Sequence, residues 1–135
     1  MDPARIFGIT LGFMSGPRTI LLVDDDEGIR EALTETLVDE GFSVQAARNG
    51  LEAVDWLRKH AEIPYVVLLD LMMPVMDGRA FLRYRQDDPV LSKVPVVVIS
   101  ADDGYAKVAQ THQVNDCIPK PIELPRLLAA IQACA

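Results

Sequence analysis

Tyr65–Leu69 reads YVVLL and stops at Asp70; a loop carrying Pro74 and Gly78 follows, then a helical stretch with Phe81 and Leu82. A short, unbroken apolar run bounded by turn residues is the pattern of a strand buried on both faces. Its neighbours repeat the theme. Upstream, Thr19–Val23 (TILLV) stops at Asp24-Asp25-Asp26; downstream, Val94–Ile99 (VPVVVI) stops at Ser100. Between these runs lie helical patterns. Ile29, Leu33 and Leu37 recur at fourfold spacing, with Ala32 and Thr36 beside them and Gly41 where a C-terminal cap belongs. Ala53, Val54, Leu57 and Ala61 mark a second helix running to about His60, after the more exposed strand Phe42–Ala47. Residues 102–114 are read as a fourth helix, Asp116–Pro119 as a fifth strand, and Leu124, Leu127, Leu128 and Ile131 as a last helix reaching the chain end.

Five strand–helix units in succession predict an α/β fold: a five-stranded parallel sheet covered on both faces, doubly wound by right-handed crossovers into three layers. The 135 residues leave room for one domain. Residues 18–135 carry that pattern, and Met1–Pro17 (MDPARIFGITLGFMSGP) reads as an extension or leader outside it. Half the chain is hydrophobic and a quarter charged, which excludes collagen-like, disordered and disulfide-scaffold classes. Thirteen basic against twenty acidic residues give a net charge of -7, which repels phosphate backbones and argues against direct nucleic-acid binding by this domain. No stretch reaches the roughly 18–20 apolar residues of a membrane span. Cys117 and Cys134 are too few to staple such a domain and fit a reducing, cytoplasmic setting.

The strands stop at chemistry. Asp24-Asp25-Asp26, Asp70 and Ser100 follow three of them, and Lys120 follows the fifth. In an open parallel sheet the strand C-termini share one edge, and ligands bind there where strand order reverses. Clustered carboxylates repel one another unless a cation is present or some are protonated. A hard divalent ion such as Mg²⁺ relieves that repulsion with one or two carboxylates, waters and phosphate oxygens. A carboxylate also serves as a nucleophile toward phosphorus, with a metal, a cation and a hydroxyl holding the transferring group. Asp24, Asp25, Ser100 and Lys120 supply that set around Asp70. Taken singly, each has a plainer role: Asp25 or Asp26 as the cap of the first helix, Ser100 as a helix-starting hydroxyl, Lys120 as a solvated charge.

At this point ILLVDDDEGIRE, VVLLDLMMPVMDG, VVVISA and IPKPIEL, in that order and spacing, resemble the receiver domain of two-component response regulators over about Thr19 to Ala135. The resemblance implies a flavodoxin-like sheet of order 2-1-3-4-5. It implies Asp70 as phosphoacceptor, and Mg²⁺ held by Asp24, Asp25, Asp70 and the backbone carbonyl of Met72. Ser100 would hydrogen-bond the phosphoryl oxygen, Lys120 would pair with it, and the small Ala101 would leave it room. A cis Lys120–Pro121 peptide is expected, turning the lysine inward. Asp26 falls outside the pocket in this alignment. The partner implied is a sensor histidine kinase or a histidine phosphotransfer protein, and homodimers form in this family through the fourth helix, fifth strand and fifth helix. One departure is Cys117, which stands where the family usually has an aromatic residue that rotates on activation; Tyr105 lies at the wrong position to replace it. A small buried residue, rather than a redox sensor, is the expectation for Cys117. Trp56 is expected to pack, and His60 and His112 lack metal-ligand spacing.

Other function classes fit less well. A Mg²⁺-dependent phosphohydrolase with an Asp nucleophile places a second aspartate two residues on, where Met72 stands. A flavodoxin-type electron carrier needs a phosphate-binding loop after the first strand, and DDDEG repels phosphate. A receiver-like docking module working without phosphorylation keeps the fold but leaves the pocket residues unused.

Overall fold

The structure is a computed structural model that describes residues 18–59, 64–73, 75–101 and 112–134. The leader assigned to 1–17, most of the fourth helix with Tyr105, and the positions of His60 and Pro74 lie outside the described residues. The apolar runs form strands β1 (Thr19–Val23), β2 (Ser43–Ala47), β3 (Val66–Asp70), β4 (Val96–Ser100) and β5 (Asp116–Pro119). They pair in parallel in the order β2-β1-β3-β4-β5. Every residue of β3 and β4 is buried, whereas edge strand β2 is largely open, as its mixed sequence foretold.

Helices α1 (Glu27–Asp39), α2 (Gly50–Lys59), α3 (Gly78–Asp87) and a C-terminal helix (Leu124–Gln132) cover the sheet. Alternate strand side chains divide between two cores, because successive side chains point to opposite faces. Leu21, Val23 and Leu69 meet Ala53 and Val54 of α2 and Phe81 and Leu82 of α3. Ile20, Leu22 and Leu68 meet Leu37 of α1 and Leu127 and Ile131 of the C-terminal helix. The three layers follow directly.

Local chemistry sets the helix ends. Asp26 accepts a hydrogen bond from the Ile29 amide at 3.1 Å and caps α1. At the other end Gly41 adopts φ 97, with Gly41 N–H bonded to Val38 O and Phe42 N–H to Leu37 O at 3.0 Å each. That is the Schellman closure for which a glycine is favoured. Asp77 caps α3 through the Ala80 amide at 2.9 Å.

Several boundaries differ from the sequence reading, beginning with the third strand, which leaves out Tyr65 and takes in Asp70. Val94 and Pro95 precede β4 rather than opening it, because Leu91–Lys93 forms a 3-10 turn that closes on Val94. Pro95 has no N–H to give, and only its carbonyl enters the sheet, accepting from Val67. Phe42 closes the cap of α1 instead of starting β2. The last helix ends at Gln132, short of the chain end. Among the described residues no helix is long and apolar enough to cross a membrane.

Candidate functional site

Strand order reverses between β1 and β3, and the register there places Val23 beside Leu69. The next residue of each strand path, Asp24 and Asp70, therefore emerges at the same edge. Asp70 is paired with Ile99 and Ser100 with Pro119, which carries the edge across β4 to β5. The Lys120 amide then donates to the Ser100 carbonyl at 3.1 Å, joining the hydroxyl-bearing and lysine-bearing ends. The Lys120–Pro121 peptide is cis.

Asp24 and Asp70 are buried, at 2% and 4% exposure, while Asp25 is exposed. Ligand oxygens of Asp24, Asp25 and Asp70 lie within 4.8 Å of one another. Lys120 Nζ sits 3.2 Å from Asp24 Oδ2 and 3.4 Å from Asp70 Oδ2. Asp70 Oδ1 accepts from the Met72 amide at 3.1 Å, and Asp24 Oδ1 from the Asp26 amide at 2.9 Å. Asp26 turns its own carboxylate to the Ile29 amide of α1, and it is not among the three clustered aspartates. Ser100 is 1% exposed at the end of β4, and Ala101 beside it is exposed.

Electrostatics follow from this crowding. Burial pushes the Asp70 carboxyl up to about 6, and the nearby Asp24 charge adds to it; the Met72 amide and the Lys120 ammonium pull the other way. Burial by itself lowers the Lys120 pKa, but the Asp24 and Asp70 carboxylates override it and leave the ammonium raised. Three carboxylates against one ammonium leave two uncompensated negative charges, all on oxygen donors. That is the charge and donor type of a Mg²⁺ site, so the residues present fit the ion that the sequence implied.

Two contacts lay beyond sequence reasoning. Arg30 Nη1 donates to the Asp24 carbonyl at 2.8 Å, steadying the backbone from α1. The Gly50 amide donates to Met76 O at 2.9 Å, tying the loop after Asp70 to α2. Neither has a local signal, since periodicity reports nothing about which backbone a distant donor meets. Cys117 is half-buried rather than fully buried as expected; it packs against the α2/α3 core, and burial pushes its thiol up, opposite to what a reactive thiolate needs. Trp56 packs against that same core, as expected. His112 Nδ1 contacts Gln86 Oε1 at 3.1 Å, away from the acidic cluster.

A family model described as response regulator receiver domain matches residues 20–132. Response regulator Rre1 of Synechocystis is 42% identical over 122 residues, covering 88% of this chain and 52% of that protein. Response regulator MprA of a Mycobacterium (strain KMS) is 38% identical over 122 residues, covering 87% and 50%. The chain thus spans about half the length of these curated relatives. Among solved structures, the phosphorylated cyanobacterial phytochrome response regulator RcpA superposes with a TM-score of 0.74 at 30% identity, over 87% of this chain and 91% of that one. By fold, by family match and by relatives, the chain belongs to the response regulator receiver domains, whose role is phosphorylation-dependent signalling.

Proposed function

We propose that Asp70 accepts a phosphoryl group from the phosphohistidine of a sensor histidine kinase or a histidine phosphotransfer protein, and that the modified pocket is read through β5, the C-terminal helix and the helix predicted from sequence over residues 102–114. The observation that carries this reading is the meeting of Asp24, Asp25 and Asp70 within 4.8 Å, with the Lys120 ammonium 3.4 Å from Asp70. With a pKa of about 6, Asp70 is mostly ionised at neutral pH and keeps a free electron pair for attack. The N–P bond of the donor breaks as an Asp70 oxygen forms the new O–P bond. Asp24, Asp25, Asp70 and the Met72 carbonyl would hold Mg²⁺, which when bound neutralises the carboxylates and the transferring phosphoryl oxygens.

Lys120 stands ready to pair with the new phosphate, and the buried Ser100 hydroxyl to donate to it. Because the Lys120 amide is bonded to Ser100 O, a pull on either residue is felt by both the β4 and β5 ends. A shift from mostly off to mostly on requires about 5.5 kcal/mol of differential stabilisation. Charge-assisted bonds to a doubly charged phosphate are the strongest available source.

The test is labelling with acetyl phosphate. Incorporation is expected to need Mg²⁺, to be abolished by EDTA and to vanish in Asp70→Asn; label that persists in that variant removes Asp70 from its role. Slow self-dephosphorylation, rather than sustained turnover of phosphate monoesters, is the expected fate of the product.

A further inference from the structure

The turn between β2 and α2 gives no side chain to the acidic cluster, yet its backbone grips the loop that follows Asp70. Gly50 N–H donates to Met76 O at 2.9 Å. A Cβ built on Gly50 would lie 2.7 Å from Met76 Cγ and 2.8 Å from Met76 O. The first contact is with a flexible side chain, but the second is with backbone and cannot be relieved by a rotamer. On the other shoulder Gly78 N–H donates to Leu71 O at 3.0 Å, and a Cβ there would lie 2.7 Å from Asp70 O. The loop is therefore held on both sides by approaches that exclude a Cβ. The gripping turn is itself anchored: Asn49 Oδ1 accepts from the Glu52 amide at 2.9 Å, and the Glu52 carboxylate accepts from Arg48 N at 2.7 Å.

Val75 supplies an independent sign that the loop's path is imposed. It has φ 69 and is 78% exposed. A β-branched residue in the left-handed region is an outlier, and so exposed a side chain gains little packing in return. Such a conformation persists only where neighbours over-determine it, and the next residue, Met76, is bonded to Gly50 through its carbonyl.

We infer that Gly50 is a positioning residue for cation binding: its bond holds the Met76 carbonyl, four residues after Met72 in the segment that leaves Asp70. This rests on the reading above that the Met72 carbonyl is a ligand. Reciprocity then requires that a cation favoured by the Gly50–Met76 bond must strengthen that bond in turn.

Isothermal titration of the 135-residue chain with MgCl₂ tests this, wild type against Gly50→Ala, with thermal melting in EDTA to verify the fold. The variant is expected to bind Mg²⁺ about five- to tenfold more weakly while melting cooperatively. Unchanged affinity in a folded variant overturns the inference. Adding Met76→Ala removes the side-chain clash and leaves the carbonyl clash, so affinity should stay low; recovery would assign the effect to packing and overturn the backbone route. Should Gly50→Ala fail to fold, hydrogen exchange of the wild-type Gly50 amide decides, with slower exchange expected at saturating Mg²⁺ and unchanged exchange overturning the coupling. A wild type that binds no Mg²⁺, or that keeps full affinity in Asp24→Asn, overturns the metal reading itself, an outcome distinct from all of these.

Discussion

Replacing Asp70 by asparagine should make the metal-free domain more stable at neutral pH, and the size of the gain follows from the pocket. Burial and the Asp24 charge raise the Asp70 carboxyl to about 6, about two pH units above an ordinary aspartate. A carboxyl raised in the folded state binds its proton more tightly there than when unfolded. The penalty for ionising it is therefore absent below the ordinary carboxylate pKa, grows as pH rises, and is complete above about 6. At 1.36 kcal/mol per pH unit the ceiling is about 3 kcal/mol. Relaxation of the pocket, which gives even buried sites a high effective dielectric, reduces that to about 1–2 kcal/mol. Asparagine keeps an oxygen to accept the Met72 amide, and Lys120 keeps Asp24 at 3.2 Å, so little is forfeited in exchange. For a domain of this size the gain is about 4–8 °C in Tm. Differential scanning calorimetry in EDTA at pH 7.5 and at pH 4.5 reads it directly: the gain should be full at the higher pH and shrink at the lower. An Asp70→Asn variant that melts at or below the wild type at pH 7.5, or a gain independent of pH, would refute the electrostatic account of the pocket.

Three further outcomes follow from named contacts. Lys120→Ala removes an ammonium that competes with any cation for Asp24 and Asp70; Mg²⁺ affinity measured by titration should rise several-fold, and a fall would show that the lysine helps to hold the metal site open. Arg126 chelates the Asp116 carboxylate with two bonds of 2.8 Å and holds its pKa below the usual range. Arg126→Ala should then cost about 0.2–1 kcal/mol at pH 7 for so exposed a pair. A depressed carboxylate stabilises above its unfolded pKa and loses that as pH falls through the folded value, so the difference in urea midpoints should disappear in strong acid. Val75→Asn places a residue tolerant of the left-handed region at φ 69 and should stabilise by about 0.5–1 kcal/mol, read from the same urea titrations.

The pocket was legible in the sequence because its residues terminate strands. TILLV, VVLLD and VVVIS declare their direction by unbroken apolarity, and in a parallel sheet whatever follows such a run must appear at one edge. The residue type that follows is then a direct statement about that edge, and Asp24, Asp70, Ser100 and Lys120 needed no knowledge of helix packing to be brought together. Asp25 and Asp26 were harder: adjacent aspartates differ only in which way the chain turns, and that was decided by the Ile29 amide, which takes Asp26 as its cap. The start of β4 was misplaced because Val94 is as apolar as a strand residue while the turn at Leu91–Lys93 closes on it.

Residues within helices follow the opposite logic, and Arg85 shows why. In GRAFLRYRQD it reads as one more charge on a polar helix face, but it is buried at 6% exposure. Its guanidinium gives two bonds to Val94 O, at 3.0 and 2.8 Å, and one to His112 O at 3.3 Å. Burial lowers its pKa, since carbonyl dipoles offset the desolvation only in part. Those acceptors are nine and twenty-seven residues away in the chain, so no pattern confined to α3 could have named them. The same separation hides the Gly50–Met76 bond and the Arg30 contact to Asp24 O. A strand end announces its chemistry through position alone; a donor in mid-helix acquires meaning only from the backbone that folding brings to it. In this domain the strand termini carry the acidic cluster and Lys120, while Arg30 and Gly50, drawn from other elements, bond the backbone beside it, and Arg85 does the same at the start of β4.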